Sequence, residues 1–242
     1  MAHESAHGLI ANWVGSSPVV VTSTGPQGDW RSLTEIELLL VGLAGIVANG
    51  LLALLGWLVF RAREALAGAV TTVAWLTFAV NAWILAVTAT VTPALGVGDG
   101  LMVLENMPNA GLMRASAAAA GLMVCAQLLK GTAITLAQLV GNGREAVRRR
   151  RAWTITGMAW IGGGAIAIGA AFRSPLGLDW SLPATLIGTL AATVPLMLAS
   201  RKVGERPVPG RALSVPASPT LMVAAALAGA LLILRFGPGF TM

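Results

Sequence analysis

Charge is scarce in this sequence. Its 242 residues carry 16 basic and 10 acidic side chains, 11% charged in all, while 56% are hydrophobic. An average soluble domain is about 25% charged, so a chain this poor in polar surface belongs in a bilayer. Cysteine is nearly absent. Cys125, alone and inside an apolar run, excludes intrachain disulfides and any thiolate metal cluster. Tyrosine is missing, so the eight tryptophans must supply any aromatic belt, with Trp30 and Trp180 near expected outer helix ends and Trp57 and Trp153 near inner ones. No Asp or Glu lies deep in an apolar segment. That argues against a retinal-type Schiff base at Lys130, which needs a counter-ion, and against a proton pump, whose relay ordinarily uses intramembrane carboxylates or histidines.

What the chain does have is apolar length. Six segments stand out, at about 37–60, 67–92, 114–140, 153–172, 183–200 and 219–235, and crossing about 30 Å of hydrocarbon takes roughly 20 residues of helix. The expected fold is an all-α integral membrane protein of about six transmembrane helices arranged as three hairpins. Residues 1–36 form a polar outer tail, 37–235 the membrane domain and 236–242 a short outer tail. The third segment is interrupted by Gln127, Lys130 and Gln138, and the fifth is short and holds Pro195. Three connections are basic: Arg61 with Arg63, Arg144 with the run Arg148, Arg149, Arg150 and Arg151, and Arg201 and Lys202 with Arg206 and Arg211. The others hold Asp99, Glu105, Arg173 and Asp179. The positive-inside rule puts the basic turns in the cytoplasm and both termini outside, in a bacterial cytoplasmic membrane. No cleavable signal is expected, for want of a basic start and a short apolar core. The Arg148–Arg151 run reads as an orientation determinant whose partner is anionic lipid; nucleic acid is not an expected partner. An Arg-Glu-Ala step recurs in "FRAREALAG" and "GNGREAVRRR", matching Glu64 with Glu145, but matches this short arise by chance.

The only two histidines fall in "HESAH", residues 3–7. His-Glu-x-x-His is the signature of a zinc protease, which requires both histidines on one face of a fixed helix, a third ligand and a dry cleft. A motif two residues after Met1 meets none of these from sequence, because chain ends are mobile unless tied down. A third ligand would have to come from Asp29 or Glu35. His3 and His7 are therefore weak metal candidates only; neither a metal site nor any cofactor is expected, and no catalytic residue is assigned. If residues 3–14 are helical, Leu9, Ile10, Trp13 and Val14 fall near one another, and the segment could lie on the outer membrane surface. The alternative is a tail without structure until a partner binds.

Within the membrane segments the polar candidates are Lys130, Gln127, Gln138, Asn49 and Asn81. Lys130 either faces an aqueous path, with Gln127 and Gln138 near the same helix face, or snorkels toward the inner interface. Asn49 and Asn81 are expected to hydrogen-bond across the first hairpin as structural glue. Small residues recur four apart, as in Ala44 and Ala48, Ala82 and Ala86, Gly188 and Ala192, and Ala225 and Gly229. The densest stretch is "WIGGGAIAIG", where Gly162, Gly163, Gly164 and Gly169 are expected to touch protein, since glycine facing lipid would waste helix propensity.

The stretch "GLMVCAQLLKGTAITLAQLVGNGREA", its basic turn and "GMAWIGGGAIAIG" resemble small inner-membrane subunits of bacterial conjugation and Dot/Icm-like type IV secretion machines. The matching positions are Lys130 with Gly131 and Gly162 with Gly163, over about 60 residues. The resemblance implies a non-enzymatic subunit of an envelope-spanning assembly, with other membrane subunits or further copies of itself as partners. Two other readings stay open: a small-solute channel or transporter with a polar path near Lys130, and a membrane enzyme of unknown class.

Overall fold

Thr34 opens the first long helix with a capping box. Its hydroxyl accepts from the Glu37 N–H, and the Glu37 carboxylate accepts from the Thr34 N–H at 2.7 Å, which satisfies amides that a helix start otherwise leaves unpaired. The computed structural model describes residues 2–241 apart from 17–18, 23–24, 64–65, 67, 97–108, 176 and 204–218, with the backbone alone at 180, 183–184, 219–226 and 236. Asp99, Glu105, Glu64, Arg206, Arg211 and the Trp180 ring lie outside the described residues. The helices are α1 (Ala2–Trp13), α2 (Glu35–Arg61), α3 (Gly68–Leu95), α4 (Ala110–Val140), α5 (Glu145–Ala171), α6 (Leu178–Lys202) and α7 (Pro219–Phe236). The six apolar segments coincide with α2 to α7. Four of these, α2 to α5, are long and apolar enough to cross a membrane.

The helices outrun their apolar segments, because charged residues propagate a helix well. α5 begins at Glu145, so the arginine run occupies its first two turns. Arg149 pairs with Glu145 at 2.6 Å one turn away. Arg151 donates to the Val140 carbonyl at 3.1 Å and the Asn142 carbonyl at 3.3 Å, closing the end of α4, where Gly141 takes φ 66°. Arg148 is buried in the same turn, and Arg150 is exposed. At the far end of the α3–α4 pair, Arg114 donates to the Pro93 carbonyl at 3.0 Å.

α3 is the central helix, packed against α2, α4 and α6. Trp75 and Trp83 fill the middle of the core rather than an interface, and each indole N–H finds an oxygen on α4: Thr135 at 2.9 Å and Thr132 at 3.2 Å. Two glycines let backbones meet. A Cβ at Gly56 would stand 2.5 Å from the Phe78 nitrogen, and one at Gly121 would stand 2.8 Å from the Ala89 carbonyl. Leu196 and Val203 of the α6 arm join this core. α5 packs on α6 and on α7, where Gly169 meets Ile233 and Gly229 meets Ile166.

The glycine run needs correction in detail. Gly164 and Gly169 touch protein, but Gly162 and Gly163 are exposed and a side chain there would meet nothing within 4 Å. Successive residues stand about 100° apart round a helix, so Gly162, Gly163 and Gly164 cannot all face one neighbour, and Gly163 borders an open cleft instead.

The N-terminal segment is helical over Ala2–Trp13. α1 runs antiparallel along α2, burying His7, Gly8 and Ala11. Leu9 and Trp13 point outward, while Ile10 and Val14 pack with Val19, Val21 and Val41. A three-stranded antiparallel sheet in the order β2-β1-β3 follows it, formed by β1 (Val20–Val21), β2 (Pro26–Gln27) and β3 (Phe240–Thr241). It pairs Val20 with both Gln27 and Thr241.

Candidate functional site

The buried face of α2 is a single stripe: Val41, Gly45, Asn49, Ala53, Gly56 and Phe60. Steps of three and four keep these residues on one side of the helix. Its lower half seats α3 at Gly56, and its upper half seats α1 at Gly45, where a Cβ would collide with the rings of both His3 and His7. Only glycine lets the two imidazoles lie against the α2 backbone. Because α1 runs antiparallel, His7 reaches Val41 and His3 reaches Asn49, near the middle of α2.

The ring contacts form a chain. Asn49 Nδ2 lies 3.0 Å from His3 Nδ1, His3 Nε2 lies 3.0 Å from His7 Nε2, and His7 Nδ1 lies 2.5 Å from the Val41 carbonyl oxygen. A carbonyl can only accept, so His7 Nδ1 carries its proton and Nε2 presents a lone pair. With the Asn49 amide donating to His3 Nδ1, His3 Nε2–H donates to His7. The rings meet edge to face with centroids 4.6 Å apart. Glu4 stands beside them, its Oε1 4.0 Å from His3 Nε2. His7 is 4% exposed, whereas the His3 and Glu4 side chains are 20% and 19% exposed. The one-fifth exposure of His3 and Glu4 opens on a cleft of about 600 Å³, walled chiefly by α3, α5 and α6 through residues such as Ile84, Thr88, Gly163 and Thr189.

Two conditions of the zinc signature are thus present, histidines on one helical face and a fixed helix, but neither Asp29 nor Glu35 joins them as the third ligand. Asp29 caps the short turn Trp30–Ser32 by accepting from the Arg31 N–H at 3.2 Å, and Glu35 is exposed in the first turn of α2. Among the described residues the one group of three or more His, Cys, Asp or Glu side chains close enough to share an ion is His3, Glu4 and His7.

The polar residues singled out within the membrane segments do not come together. Lys130 and Gln127 are exposed on the outer face of α4, and Gln138 is half-buried two turns further on. None of the three borders the cleft. Asn49 and Asn81 do not bridge the α2–α3 hairpin: Asn81 donates to the Thr77 carbonyl of its own helix at 2.8 Å, and Asn49 serves His3. The site that sequence reasoning missed rests on the contact between α1 and α2. The signal was available as Gly45, Asn49 and Ala53, an i, i+4, i+8 row with a polar residue between two small ones.

No protein-family model matches the chain, and neither a curated protein nor a solved structure is significantly similar to it.

Proposed function

We propose that this chain is a non-enzymatic integral membrane subunit of a larger membrane assembly. The outer face of α4 carries the reading. Only 6% of that helix's most apolar stretch is buried, against 33% for α3, and Gln127 and Lys130 stand out from it together. A lysine facing hydrocarbon costs about 2.5–3.5 kcal/mol on insertion scales unless it snorkels. A helix of another subunit offering a carboxylate or carbonyl would remove that cost and cover the face.

Six crossings in three hairpins, with both termini outside a bacterial cytoplasmic membrane, accord with several features. Arg61 and Arg63, the Arg144–Arg151 region, and Arg201 with Lys202 fall at alternate helix connections. The pairing of β1 with β3 joins the chain before α2 to the chain after α7, which supports an even number of crossings with both termini on one side. The resemblance around Lys130–Gly131 and Gly162–Gly163 points to conjugation or type IV secretion as the class of assembly.

The test is a photo-reactive residue at position 127 in native membranes, followed by extraction in mild detergent. One discrete protein adduct, weakened by Lys130→Met, is expected. Lipid adducts alone, with a single chain per micelle, would overturn the proposal. A solute path is the second reading; the cleft beside His3, Glu4 and Asn49 favours it, and flux in vesicles blocked by filling the cleft through Gly163→Phe would support it.

A further inference from the structure

We propose that His3, Glu4 and His7 form a binding site for a divalent first-row transition-metal cation of the zinc or copper class, and that Asn49 positions the His3 ring for it. This goes beyond the subunit reading and does not depend on it.

The donor set fits such an ion. Two imidazoles and a carboxylate are ligands of borderline metals, and oxygen-seeking Mg²⁺ or Ca²⁺ would not select them. Metal–nitrogen bonds run about 2.0–2.1 Å. At that length two nitrogens 3.0 Å apart, the spacing of His3 Nε2 and His7 Nε2, subtend roughly 95° at a shared ion. The candidate ligand atoms of all three side chains lie within 4.8 Å of one another, and Glu4 closes the remaining gap by rotating its partly exposed carboxylate. The cleft leaves a fourth position for water or an exogenous ligand.

The surrounding contacts prepare the ligands. His7 already donates Nδ1–H to the Val41 carbonyl, the second contact that metal-bound histidines commonly make, and this aims its Nε2 lone pair at His3. His3 needs one change. In the hydrogen-bonded chain its Nε2 holds a proton. If the Asn49 amide turns over, its carbonyl oxygen accepts from His3 Nδ1–H and the Nε2 lone pair is released. An amide turns with almost no change of shape, so the same pocket serves both the metal-free network and the ligated one. Gly45 completes the design by leaving room for both rings against α2.

The full chain, purified in detergent without a histidine tag, is titrated with Zn²⁺ by calorimetry and with Co²⁺ by its visible spectrum. One equivalent should bind. His3→Ala and His7→Ala should each lower the affinity at least a hundredfold, and Asn49→Leu by about 10–100-fold, as for other residues that orient ligands. Because His7 and Asn49 are buried, Glu4→Gln is the decisive variant: it keeps the shape of a partly exposed side chain, should unfold at the wild-type temperature and should bind about tenfold more weakly with an altered Co²⁺ spectrum. No binding by the wild-type chain, or the same affinity in His3→Ala and Glu4→Gln, would overturn the assignment.

Discussion

Two polar places on the apolar helices behave in opposite ways. At the α1–α2 contact, His3, His7 and Asn49 are joined in a hydrogen-bonded chain against a helix backbone. On α4, Gln127 and Lys130 share a helical face that no other described element covers. Each stands near the middle of its segment, so depth along a helix does not separate them. What does is the neighbour: α2 offers a glycine where a second helix can approach, whereas the face of α4 that bears Lys130 meets none among the described residues. The first group is held by its own protein, and the second stands open on the outer face of the bundle.

That contrast can be broken at four positions. Gly45→Leu should have the largest effect, because four extra carbons must enter the space of two rings; overpacking of this kind costs about 1–3 kcal/mol or more. α1 should leave α2, and a cysteine placed at position 11, fully buried in the parent, should become reactive to a thiol reagent. Asn49→Leu leaves His3 Nδ1 without its amide and should lower stability by about 1–2 kcal/mol in a reversible detergent-unfolding assay. Asn81→Leu removes only a bond to the helix's own Thr77 carbonyl, so the same assay should register less than about 0.5 kcal/mol; a cost equal to that of Asn49→Leu would show that Asn81 has an interhelical role after all. Lys130→Met should scarcely change the unfolding of the isolated chain, within about 0.5 kcal/mol, while reducing co-purification of partners. Destabilisation of the isolated chain by that variant would mean that Lys130 is an internal residue.

Much of the bundle was legible because apolar length is a local property. The segment at 37–60 became Glu35–Arg61 and that at 219–235 became Pro219–Phe236. The greatest discrepancy, 153–172 against Glu145–Ala171, arises because hydropathy stops at Arg151 while helical hydrogen bonding runs on through Glu145 and the arginines. The candidate site was not legible in the same way. His3 and Asn49 are far apart in sequence, and nothing within the first 14 residues says that they pack on a helix whose glycine leaves room for them. The tryptophans teach a related lesson. From sequence, Trp30, Trp57, Trp153 and Trp180 are assigned to helix ends while Trp75 and Trp83 have no assigned place; these two are core residues because Thr135 and Thr132 supply the hydroxyls their N–H groups require. The positions of those threonines one turn apart on α4 are visible in the sequence, but their partnership with α3 is a product of hairpin register.

The small sheet joins segments that lie on either side of the six long helices in the chain. β1 emerges before any of the long helices, yet its pairing with β3 must wait until α7 has been made, so Val20 and Val21 keep an open hydrogen-bonding edge throughout insertion of the bundle. Bringing such distant segments together is entropically slow in a free chain, but the cost grows only slowly with length, and helices already held in a membrane would shorten the search. Closure of this clasp therefore follows the last long helix in the order of events. Until Phe240 and Thr241 arrive, the segment that follows α1 lacks one of its two strand partners.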